Sequence, residues 1–142
     1  MADNTSLVVE YNNVRNAIIR FSDISDATGL VNFMLFDATS SGPFGVNVAG
    51  QIFYPGTNVS IWALDYDVQD MKINVQWVAT ANQPIFVMGS APEDFNWRKV
   101  GPIKCPKTLP GVTGQIVLST IAAAANATCW LRMYLHKNVP QF

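Results

Sequence analysis

Alternation with a period of two is the feature that most limits this chain. From Met71 to Ala79, the residues Met71, Ile73, Val75, Trp77 and Ala79 fall on one side and Lys72, Asn74 and Gln76 on the other. Successive side chains point to opposite sides in a strand, so this run reads as a half-buried antiparallel strand. From Ile61 to Val68 the same pattern puts Trp62, Leu64, Tyr66 and Val68 on the apolar face, opposite Asp65 and Asp67. Only Gln69-Asp70 separates the two runs, which predicts a hairpin. Further strands are expected over Val14–Ile24, Val31–Phe36, Val46–Phe53, Pro84–Gly89, Gly114–Thr120 and Thr128–Lys137. The last places Cys129, Leu131, Met133 and Leu135 on one face and Trp130, Arg132, Tyr134 and His136 on the other. The run Ile121 to Ala125 has helical propensity, but it is too short to hold a helix between two strand patterns and reads as a turn or edge segment. Strands without intervening helices predict an all-β fold with little or no helix. The expected form is an antiparallel β-sandwich, either jelly-roll or immunoglobulin-like.

A chain of 142 residues matches one domain. The strand pattern divides it into an N-terminal docking arm (1–13), a sandwich domain (14–137) and a C-terminal tail (138–142). Charged residues make up 13% of it, about half the usual share. Asn, Ser, Thr and Gln must then supply surface polarity, and such a surface suits close contact with other protein. Net charge is −1, and Lys99, Lys104 and Lys107 lie among prolines rather than in a stripe, which argues against nucleic-acid binding. The polar start Met1 to Ser6 does not resemble a secretory leader, and no apolar run approaches the roughly 18 residues of a membrane span. The expectation is synthesis in a cytoplasm and no membrane partner. Cys105 and Cys129 lack metal-ligand spacing and are expected as buried, reduced thiols, with a single bridge as the alternative. Without a secretory route, the Asn-x-Ser/Thr sequences at Asn4, Asn58 and Asn126 read as incidental.

Little in the sequence points to catalytic chemistry. A Ser or Cys nucleophile needs an adjacent base, and the one histidine, His136, sits on the polar face of the last strand with no nucleophile motif beside it. Asp65, Asp67 and Asp70 offer oxygen ligands but lack the glycine and terminal glutamate of a calcium loop, so they read as a solvated strand face and turn. Glu93-Asp94 has no marked partner for glycoside hydrolysis. The expectation is therefore no catalytic residue, no metal and no cofactor. Trp62 and Trp77 are placed in the core by their strand faces.

Two regions fall outside the rhythm. Residues 92–113 carry Pro92, Pro102, Pro106 and Pro110 and are expected as a long loop without a central strand. The two chain ends carry apolar groups that ordinary solvation does not explain. Leu7, Val8, Val9 and Tyr11 at the N-terminus, Phe95 and Trp97 in the loop, Trp130 on the outer strand face and terminal Phe142 are the candidate interface residues.

The succession Val14 to Phe21, Leu64 to Val68, Val75 to Trp77, Gly114 to Thr120 and Trp130 to Lys137 resembles small virion-associated proteins of tailed bacteriophages, particularly cyanophages. The resemblance spans about residues 14 to 137 and lies in a pattern of strands rather than a catalytic signature. It implies a non-enzymatic virion component, most commonly a capsid cement or decoration protein, whose partners are the major capsid protein, copies of itself as in a trimer, or both. A carbohydrate- or receptor-binding module of a tail or fibre is the competing expectation, and a hydrolase on a sandwich is the least favoured. An exposed aromatic with convergent Asp and Asn would favour the second, and apolar ends seated on a partner the first.

Overall fold

A computed structural model describes residues 4–89, 91–96, 103–121 and 123–137. Among the described residues there are twelve strands and no helix. They are β1 (Asn4–Asn12), β2 (Asn16–Asp26), β3 (Phe33–Phe36), β4 (Val46–Val48), β5 (Gln51–Phe53) and β6 (Val59–Gln69). Then come β7 (Lys72–Trp77), β8 (Gln83–Met88), β9 (Ala91–Asn96), β10 (Ile103–Lys104), β11 (Ile116–Ile121) and β12 (Ala125–Lys137).

Two antiparallel sheets pack face to face. One runs β1-β2-β12-β6, with β9 and β10 following one another along the far edge of β6. The other runs β3-β11-β7-β8, and β4-β5 form a small separate hairpin. The pairings nest: β7 pairs β8, β6 pairs β9, β3 pairs β11 and β2 pairs β12. That is one long ribbon folded over on itself, the order of a jelly roll rather than of an immunoglobulin-like sandwich.

The alternating residues make the core. Along β12, Cys129, Leu131, Met133, Leu135 and Lys137 are buried, while Trp130, Arg132, Tyr134 and His136 are half-buried on the outside. Ile73, Val75 and Trp77 of β7 meet Phe21, Ile19, Leu64 and Leu131 from the opposite sheet in a single apolar cluster. Lys137 continues the inward phase of β12. Its ammonium donates to Asn12 Oδ1 and lies 5.9 Å from the centre of the Phe44 ring.

Three expectations change. The predicted hairpin across Gln69-Asp70 does not form: β6 and β7 belong to different sheets, and the link is a corner with Asp70 at φ 60°. Each strand has two edges, and those of β6 go to β12 and to β9 and β10, those of β7 to β11 and β8. Val68 and Met71 both stay buried across this corner, so alternation alone does not distinguish it from a hairpin. The expected loop 92–113 begins as β9, which tolerates Pro92 because it is an edge strand. Finally, the arm at 1–13 is not outside the sheet: residues 4–12 are β1, paired antiparallel to β2. Its sequence lacks alternation because both of its faces stay largely exposed.

Candidate functional site

The edge strand β1 is the first surface that sets this domain apart. Leu7 and Val9 lie opposite Phe21 and Ile19, facing the inner side of the sheet, and Val8 lies opposite Arg20 on the outer side. The core face therefore continues past the last strand that the second sheet covers. Leu7, Val8, Val9 and Tyr11 remain 39%, 38%, 43% and 49% exposed. The far edge of β1 has no strand partner among the described residues. A long apolar edge with free backbone groups is a template for pairing or docking.

The second surface is a cleft on the outer face of the larger sheet, and a β-bulge builds it. Tyr134 pairs with Ala63 and Leu135 with Ile61, so Trp62 is the extra residue and turns outward. The expectation that Trp62 belongs to the core is thus corrected: Ile61 and Leu64 fill the core on either side, and Trp62 is half-buried on the outer face. Trp77, by contrast, is 2% exposed and sits where its alternation put it. The Trp62 ring meets the His136 ring edge-on, with centres 5.8 Å apart, and His136 Nδ1 lies 3.2 Å from Asn16 Oδ1. The indole N–H is buried, with no hydrogen-bond partner among the described residues. The ring accordingly offers carbon surface, not its donor, to the outside.

Trp62 and His136 separate two open hollows. One, of about 420 Å³, is lined by Tyr11, Asn16, Ala17, Ile18, Tyr134 and Leu135 together with that pair. The other, of about 580 Å³, is lined by Thr57, Asn58, Val59, Ser60, Lys104, Cys105 and Lys107 on the far side. Both fall in the size range of ligand sites. Lys107 Nζ donates to Asn58 Oδ1 at 2.6 Å. Cys105 shares the second hollow with His136, yet burial pushes its thiol up to about 11, the opposite of nucleophile activation.

The rest of the outer row on β12 is tied to its neighbours. Arg132 grips Glu10 through two bonds of 2.8 and 2.9 Å, which holds the Glu10 carboxyl below the usual carboxylate range and Arg132 above its own. The Tyr134 hydroxyl donates to Asp65 Oδ2 at 3.4 Å, and the Arg132 guanidinium lies 5.9 Å from the Trp130 ring centre. Of the other sequence-derived candidates, Phe95 lies on β9 opposite Leu64, and Trp97 and Phe142 lie outside the described residues. Trp130 is half-buried on the outer face. Asp67 accepts a bond from Gln69 and Asp70 forms the corner, so the three aspartates serve separate local roles. Among the described residues, no three His, Cys, Asp or Glu side chains come together to hold a metal ion.

Comparison of the chain with family models, with curated proteins and with solved structures finds no match. The functional reading therefore rests on these two surfaces.

Proposed function

We propose that the protein is a non-enzymatic structural component of a virus particle, a capsid cement or decoration protein that attaches through β1. The observation that carries this reading is the exposure of Leu7, Val8 and Val9 on a nine-residue edge strand. Each square ångström of that apolar surface buried by a partner is worth roughly 25 cal/mol, and free backbone groups add a register. The low charge of the chain lowers both desolvation cost and repulsion between copies. A jelly roll is compatible with this role, since capsid domains use it, but lectin domains do too, and a fold does not decide a function.

The test has two parts. Quantitative mass spectrometry of purified particles should find the protein in copy numbers commensurate with the shell subunits; a handful of copies, or none, rules out the shell. Val8→Lys combined with Val9→Lys should leave the isolated domain folded by circular dichroism and weaken its binding to particles at least about tenfold, the equivalent of about 1.4 kcal/mol. Unchanged binding of this double variant removes β1 as the attachment element.

A further inference from the structure

The cleft on the outer face is a second surface, separate from the exposed Leu7, Val8 and Val9 of β1. Its middle is an aromatic ridge, Trp62 backed by His136, that presents carbon surface between two open hollows. Short uncharged hydrogen-bonding groups flank it: Asn16 on one side, Thr57 and Asn58 on the other. Flat carbon surface ringed by amides and hydroxyls suits a pyranose, whose C–H face is apolar and whose rim is hydroxylated. An apolar small molecule would instead call for an enclosed site that covers most of its surface. Lys104 and Lys107 line the second hollow, no carboxylate is among its lining residues, and neither lysine has an ion-pair partner among the described residues. Two unneutralised cations beside a sugar-shaped ridge select a sugar bearing acid groups.

We propose that this cleft binds an acidic saccharide, one ring resting against Trp62 and its acid groups directed to Lys104 and Lys107. A nucleic acid would also bring rings and negative charge. A chain of net charge −1 without a basic stripe lacks the extended field that a polyphosphate requires, whereas two local cations suffice for a saccharide.

The experiment titrates the full chain with three acidic probes: oligogalacturonate, oligoalginate and a sulfated oligosaccharide. Neutral oligogalactan and oligothymidylate of equal length serve as comparisons, all read by calorimetry and by amide shifts in NMR spectra. At least one acidic probe should bind with a dissociation constant of about 0.1–1 mM and weaken as salt rises. Trp62→Ala should lower that affinity at least about tenfold and Trp62→Phe no more than about threefold, with circular dichroism unchanged in both. Lys104→Gln with Lys107→Gln should erase the preference for acidic over neutral sugar. No binding of any acidic probe at about 10 mM, equal binding of oligogalactan, tighter binding of oligothymidylate, or an unaffected Trp62→Ala variant each overturns the proposal. The Val8→Lys, Val9→Lys chain should keep its saccharide affinity, so failure here and failure of the docking reading are told apart.

Discussion

Trp62 and Trp77 share the same alternating apolar pattern in sequence, and the structure sends one outward and the other into the core, so replacing each with Ala tests the bulge directly. An aromatic of this size buries up to about 250 Å². Trp77 is 2% exposed, and its truncation removes roughly 200 Å² of contact at about 25 cal/mol per Å², or about 5 kcal/mol as an upper figure. Measured core Trp→Ala costs run at about 3–5 kcal/mol, so about 4 is expected. Trp62 is half-buried beside open hollows. Its removal leaves no enclosed cavity and should cost about 1–2 kcal/mol. With a urea slope of about 2 kcal/mol/M, the midpoint should fall by about 2 M for Trp77→Ala and by less than about 1 M for Trp62→Ala.

Far-ultraviolet circular dichroism is the appropriate probe, because each substitution removes a different one of the four tryptophan fluorophores and so changes the fluorescence signal itself. If Trp77→Ala does not fold, Trp77→Phe, expected to cost about 1–2 kcal/mol, takes its place in the comparison with Trp62→Phe. Equal costs at the two sites, as two core tryptophans would give, refute the bulge and with it the outward cleft. A larger loss at Trp62 refutes it more strongly.

Other outcomes follow from buried groups and tight turns. Burial lowers the Lys137 pKa, so between that lowered value and the ordinary lysine value of about 10.4 the unfolded chain holds a proton that the folded one lacks, and stability rises with pH there. Lys137→Met should match or exceed the parent in urea midpoint at neutral pH and lose this rise; parallel pH curves would contradict it. Burial pushes the Cys105 thiol up to about 11, so a thiol reagent at about pH 8 should label it only on unfolding, and fast labelling of the folded chain would show that the thiol is not sealed. Gly114 has φ 83° and its position abuts the backbone of Gly56; Gly114→Ala should cost at least about 1–2 kcal/mol in thermal or urea unfolding, and a neutral effect would place that turn elsewhere.

Local rules reached the strands and stopped at their partners. The period-two faces of β7 and β12 were readable because burial of one face writes itself directly into sequence. The corner at Asp70 was not, since a hairpin and a crossover between sheets demand the same inward Val68 and Met71, and only the competition for sheet edges separates them. The β1 segment reads as an arm in sequence because an edge strand with two exposed faces has no alternation to show. The bulge did leave a trace: Val59 and Ile61 alternate in one phase and Leu64, Tyr66 and Val68 in the other, which requires one extra residue between them.

The cleft draws on residues from four separated stretches, namely 11–18, 57–62, 104–107 and 134–136. Nothing local to His136 reports that the nested pairing sets it opposite Asn16 on β2 and Ser60 on β6. Register is then the quantity on which the site depends. Had β12 slipped by one residue against its neighbours, His136 would turn inward and Lys137 outward, removing the imidazole that backs Trp62. What fixes that register is the burial of Leu131, Met133 and Leu135 together with the Lys137 contact to Asn12 at the end of β1. The core thus sets the geometry of the surface cleft, and the cleft should respond to mutations in residues that never touch its ligand.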